Sequence, residues 1–90
     1  MRYTGEYADR WFRELAQTLG KDVAEGNDRL KVGAWRLDFN SCYGGGVIEE
    51  IYNESGGVTR PLTDHRLSPW NFGVMCQVVI NLHKRKDDYV

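Results

Sequence analysis

The residues most capable of chemistry are a cysteine, a histidine and the charged neighbours of that histidine. Asp64, His65 and Arg66 form a polar cluster, and Cys42 stands elsewhere in the chain. A cysteine activated by a histidine base can act as a nucleophile, but the residues around Cys42 show no activating pattern. We interpret Asp64 or His65 as a helix-capping group and Arg66 as the partner of an acid on the sheet. We therefore expect no enzyme, and an enzyme using Cys42 and His65 is only a third hypothesis.

Metal and phosphate sites need ligand sets that this sequence does not assemble. Zinc sites use three or four ligands at workable spacing, whereas Cys42, His65, Cys76 and His83 are scattered along the chain. Phosphate-binding glycine loops precede a helix, but the run Gly44 to Gly46 precedes a predicted strand. We interpret this run as a turn that requires positive φ. The sequence therefore predicts no metal and no cofactor.

Three carboxylates, Glu49, Glu50 and Glu54, cluster on the second predicted strand. Adjacent strand residues point to opposite faces of a sheet, so Glu49 and Glu50 cannot form a catalytic pair. We expect an acidic, solvated sheet face that serves as a docking patch for a basic partner.

Length and composition predict one domain, residues 1–90, with a thin core that a second subunit or a partner would stabilise. Three Trp, five Tyr and three Phe argue against a disordered chain. The longest apolar stretch, around 72–82, is too short to span a bilayer. Because two cysteines make no disulfide framework and no leader pattern opens the chain, we expect a reduced, cytoplasmic protein.

Hydrophobic periodicity predicts the elements that would position these residues. Residues 4–19 repeat apolar side chains at helical spacing, and Gly20 is suited to end that helix. Residues 29–39 alternate with period two, and the alternation slips by one residue at Gly33. We expect one bent strand with a β-bulge at Gly33.

Further strands are predicted over 47–54 and 58–62, joined by a hairpin turn at 53–57. The last helix begins after Ser68, a good N-cap, has Pro69 in its first position, and runs to about Lys84. The fold class is therefore α+β in the order α-β-β-β-α, with a three-stranded antiparallel sheet packed against two helices.

The last helix is apolar on two sides, which is unusual for a small domain. One broad side should pack on the sheet and the first helix, and it comprises Phe72, Met75, Cys76, Val79, Ile80 and Leu82. A second row, Trp70, Val74 and Val78, recurs at every fourth residue. This row is predicted either to contact a second subunit or target protein, or to be covered by a loop or by the tail of the same chain.

Nucleic-acid binding is the alternative function. Double-stranded RNA-binding domains share the α-β-β-β-α order, but they place lysines at the start of their second helix, where this chain has none. The net charge is −1, whereas a nucleic-acid-binding domain is expected to carry a surplus of basic residues. The cations that would carry this function are Arg29, Lys31, Arg36, Lys84, Arg85 and Lys86.

A family resemblance supplies a biological context. The resembling features are the run Asn40 to Gly45, Val47 to Asn53, Gly56 to Val58, Arg66 to Ser68 and the final helix. With them, Trp35 to Leu82 resembles small proteins of unassigned function encoded by phages and mobile elements of bacteria. The resemblance brings no activity and no binding residues. It implies an accessory protein that binds a host protein, including components of CRISPR–Cas and other defence systems.

The first hypothesis is therefore a non-enzymatic, phage-type accessory protein that inhibits a host protein, such as a defence nuclease, by steric occlusion. It would act in the cytoplasm of the bacterial host cell, and a homodimer is a further expectation. The predicted contact residues are Trp70, Val74, Val78, Glu49, Glu50 and Glu54.

Overall fold

A computed structural model describes residues 5–24 and 31–86 of the chain. It confirms the α+β class and the order helix, three strands, helix. The elements are α1 (Gly5–Leu19), β1 (Trp35–Asn40), a 3₁₀ turn (Ser41–Tyr43), β2 (Gly45–Ile51), β3 (Val58–Thr59) and α2 (Pro69–Lys86). The three strands form one antiparallel sheet in the order β1-β2-β3.

The start of β1 differs from the sequence-based prediction. Instead of one bent strand over 29–39, Val32 and Gly33 form a turn, and the strand begins only at Trp35. Gly33 has a φ of 89° and donates its N–H to the carbonyl of Ile51 at 2.7 Å. The slip in the alternation therefore reflects a turn and not a β-bulge, and Val32 is exposed. Residues 29 and 30 lie outside the described part of the chain.

The remaining strands are shifted or shorter than predicted. β2 begins at Gly45 and ends at Ile51, because Asn53 starts a turn in which its side-chain oxygen accepts from the N–H groups of Ser55 and Gly57. Only Val58–Thr59 pairs in β3. A single antiparallel bridge between Gly46 and Leu67 then ties the segment before α2 to the edge of β2 that also pairs with β3.

The core lies between the two helices and one face of the sheet. Along α1, apolar residues recur at helical spacing and are buried, as the periodicity predicts. The core cluster comprises Ala8, Phe12, Leu15, Trp35, Ile48, Phe72, Cys76 and Ile80. Val47 and Ile51 alternate with Ile48 and are also fully buried, so β2 is covered on both faces.

Candidate protein-binding surface

The most distinctive surface of the molecule is an apolar row along α2. Its side chains recur about once per helical turn, and they are Trp70 (49 % exposed), Val74 (38 %), Val78 (51 %) and Leu82 (59 %). We call these four residues the outer face of α2. The opposite side of the helix carries Phe72, Cys76 and Ile80, which are almost completely buried. The described chain therefore leaves the predicted row exposed instead of covering it.

The position of Leu82 differs from the sequence-based prediction, which placed it on the core-facing side of the helix. It follows Val78 by one turn, and at ~100° per residue this spacing continues the exposed row. Ile80, two residues earlier, fills the core instead. The spacing of Trp70, Val74 and Val78 already contained the signal that was missed.

Local contacts fix the start of α2 against the sheet. The carbonyl of Ser68 accepts the N–H of Phe72 at 2.8 Å, and the Asn71 side chain donates to Ser68 Oγ at 3.0 Å. Pro69 occupies the first helical position, where a missing N–H costs nothing. Because Leu67 forms the bridge to Gly46, the direction of α2 is set by β2.

The charges of α2 are separated from its apolar row. The helix contains none of the thirteen acidic residues of the chain and three of its twelve basic residues, Lys84, Arg85 and Lys86. All three lie in the last turn, where the helix dipole favours cations. The outer face is therefore apolar along its length, with positive charge at one end only.

The predicted acidic patch is only partly present. Glu54 is exposed, and Glu50 is half-buried with a carboxylate oxygen accepting from the indole N–H of Trp35 at 3.0 Å. Glu49, however, is only 5 % exposed and accepts a hydrogen bond from Arg36 Nε at 2.9 Å. A buried carboxylate needs such a partner. Glu49 is therefore paired with Arg36 across β1 and β2 and is not part of a solvated face.

The cations proposed for nucleic-acid binding do not form one surface in the described residues. Lys31 forms an ion pair with Asp22 at 3.0 Å, and Arg36 is held by Glu49. Arg36 lies on the sheet face away from the helices, since its neighbour Trp35 points into the core. Lys84 and Arg85 are exposed on α2, Arg29 lies outside the described residues, and the side chain of Lys86 is not described.

The polar cluster before α2 has a structural role at Arg66. Its guanidinium crosses β2 and donates to the Asp38 carboxylate at 2.7 Å and to the carbonyls of Asp38 and Gly45. The predicted pairing of Arg66 with an acid on the sheet is thus confirmed. This contact reinforces the Gly46–Leu67 bridge beside it.

The predicted helix-capping role of Asp64 or His65 is wrong: among the described residues their side chains bond to each other at the surface, and neither bonds to the backbone of α2. His65 Nδ1 lies 2.9 Å from Asp64 Oδ1, and this hydrogen bond lowers the pKa of the Asp64 carboxyl. Cys42 is exposed in the middle of the 3₁₀ turn, and within residues 5–24 and 31–86 no hydrogen bond joins it to His65. Burial raises the pKa of the Cys76 thiol to about 12, as expected for a core residue.

Within the described residues, no three His, Cys, Asp or Glu side chains come together in a group that would hold a metal ion. Neither α1 nor α2 combines the length and the apolar character that crossing a membrane requires.

Comparison with known proteins identifies no relative of this chain. No protein-family model, no curated protein and no solved structure matches the chain. The resemblance to phage accessory proteins therefore stays a prediction, and function has to be argued from the surface itself.

Proposed function

We propose that this chain is a non-enzymatic binding domain that docks onto another protein molecule through the outer face of α2. One observation supports the proposal above all: four apolar side chains stand exposed in one row on α2. Water contact with such a row is unfavourable by roughly 25 cal/mol for each Å² of apolar surface. A protein partner that covers the row would recover that free energy.

The chemistry of the face suits a helix that lies in a groove or against another helix. Trp70 offers a large aromatic anchor at one end, and tryptophan is enriched among the residues that dominate binding energy. Exposed Asn71 and Asn81 lie between the apolar side chains of the row and supply amide groups for hydrogen bonds to a partner. The face therefore combines apolar contact area with polar groups, as protein interfaces do.

The specific form of the proposal comes from the resemblance alone. A phage-type accessory protein would act in the bacterial cytoplasm, bind a host protein such as a defence nuclease, and block its working surface by steric occlusion. Glu54 and the partly exposed Glu50 would then contribute a secondary contact to basic residues of the target. Anti-CRISPR-like inhibition is one instance of this proposal.

Replacement of the aromatic anchor tests the proposal. We expect Trp70→Ala to weaken capture of the partner protein by about 30-fold, since loss of an interface hot spot costs about 2 kcal/mol or more. The measurement compares the tagged chain with this variant as bait in extract from a bacterial host. Glu14→Ala, on the exposed side of α1, is the matched control and should capture as the wild type does. Equal capture by the wild type and Trp70→Ala would refute the assignment of the outer face.

A further inference from the structure

The outer face of α2 has the same pattern when read in either direction along the helix. Its two ends carry the large residues Trp70 and Leu82, and its middle carries Val74 and Val78. Both pairs are centred on position 76. A surface that meets its own copy across a two-fold axis must be complementary to itself in this way.

Two polar side chains within the row repeat the same symmetry. Asn71 and Asn81 are both exposed, and they too are centred on position 76. At ~100° per residue both lie within the sector of the helix that the apolar row covers. The Asn71 amide nitrogen donates to Ser68 Oγ, which leaves its amide oxygen to accept a hydrogen bond from Asn81 of the second copy.

We propose that the outer face of α2 binds the outer face of a second copy of this chain, with the two α2 helices antiparallel and the two-fold axis beside position 76. The proposal rests on the proposed function, because it names the partner of the same face. In this arrangement Trp70 of one copy covers Leu82 of the other at each end. The small Val74 and Val78 meet at the centre, where they allow the helix axes to approach to roughly 8–10 Å.

Charge favours the antiparallel direction over the parallel one. A parallel pair would bring the Lys84 and Arg85 side chains of both copies together. The antiparallel pair places these cations at opposite ends of the contact, separated by more than the ~18 Å that twelve residues of helix span. That separation exceeds the screening length of about 10 Å at 0.1 M salt, so their mutual repulsion becomes small.

The contact would be of modest size. α2 has 18 residues, and a single helix pair falls at the lower end of the range of specific protein interfaces. We therefore expect a dimer that dissociates on dilution, with a Kd on the order of micromolar. A host protein that binds the same face would compete with this pairing.

Disulfide cross-linking tests both the partner and the direction. The background is Cys42→Ser, which removes the exposed thiol, while Cys76 is buried. In the antiparallel pair, Asn71→Cys of one copy faces Asn81→Cys of the other. Two Asn71→Cys residues would be at least about 15 Å apart along the axis, beyond the roughly 7 Å that a disulfide tolerates between Cα atoms. We expect a mixture of the two variants to cross-link at least tenfold faster than either variant alone.

Sedimentation equilibrium provides a second measurement that needs no cysteine. The unmodified chain should move from monomer to dimer as its concentration rises through the micromolar range. Val78→Arg should stay monomeric, whereas Gln17→Arg, on the exposed side of α1, should dimerise as before. Circular dichroism establishes that both variants are folded.

The remaining outcomes separate this inference from the proposed function. Rapid cross-linking of each cysteine variant alone would indicate a parallel pair and overturn the antiparallel arrangement. A chain that stays monomeric and does not cross-link, but whose outer face still captures a host protein through Trp70, would overturn the second copy as partner and leave the proposed function standing. If neither self-association nor capture responded to changes in the outer face, both proposals would fail.

Discussion

Gly45→Ala is expected to destabilise the fold by about 3 kcal/mol or more, which is a large share of the 5–15 kcal/mol typical of a small domain. Gly45 has a φ of 123°, a region that residues with a Cβ rarely adopt. A Cβ placed there would lie 1.9 Å from the carbonyl oxygen of Leu67 and 2.7 Å from its carbonyl carbon. Since both atoms belong to the backbone, the bridge that sets the direction of α2 would have to shift.

A substitution at Gly44 separates the two causes of destabilisation, which are the penalty for a positive φ and the steric clash with Leu67. Gly44 also has a positive φ, 99°, but a Cβ at this position would meet no atom within 4 Å. Gly44→Ala should therefore cost only the conformational penalty, about 1–2 kcal/mol. Urea unfolding of both variants measures the difference. Equal losses for the two variants would show that the close approach of Leu67 to Gly45 is not a constraint on the fold.

Phe72→Ala is expected to destabilise the chain by about 3–5 kcal/mol, because its fully buried ring would leave a cavity between α2 and the sheet. Val74→Ala, two residues along the same helix but on the outer face, should change the stability of the monomer by no more than about 0.5 kcal/mol. The comparison requires dilute protein, since dimerisation would add stability to the folded state. Thermal or urea unfolding followed by far-UV circular dichroism gives both values.

Equal losses of stability for the two variants would contradict the exposure of Val74. If Val74→Ala cost as much as Phe72→Ala in dilute solution, the side chain of Val74 would be covered in the monomer. The outer face of α2 would then belong to the core, and its availability to a partner would be lost.

Local signals in the sequence were sufficient for most of the fold. The periodicity of residues 4–19, the Ser68–Pro69 start of α2 and the glycine turn before β2 each depend on neighbouring residues, and the structure contains all three features. The pairing of Arg66 with an acid on the sheet was expected as a type of contact, although the sequence did not identify Asp38 as the acid.

The errors arose where distant parts of the chain decide the outcome. The slip at Gly33 has the same signature for a β-bulge and for a turn, and the contact of Gly33 with Ile51 selects the turn. Glu49 was expected in solvent, but both faces of β2 are covered, so it is buried against Arg36. Leu82 is a different case: it was placed on the broad core-facing side of the helical wheel, although at ~100° per residue it continues the exposed row of Trp70, Val74 and Val78.

The sequence singled out the row Trp70, Val74 and Val78 but left open whether the row is exposed or covered by the same chain. A helix at the surface of a small domain buries one side against the core and leaves the other exposed. The sequence therefore indicates an excess apolar side without indicating what covers it. The symmetry of the row about position 76 becomes meaningful only once the structure shows which residues are exposed.

Photo-cross-linking from position 78 tests the central claim, that the outer face of α2 contacts protein, most directly. A benzophenone amino acid replaces Val78 in the full chain, and a matched variant carries it at Gln17 on the exposed side of α1. Irradiation of cells that produce the chain should yield a discrete adduct from position 78, with a second copy or another protein, and none from position 17. No adduct from position 78, or equal labelling from both positions, would contradict the account.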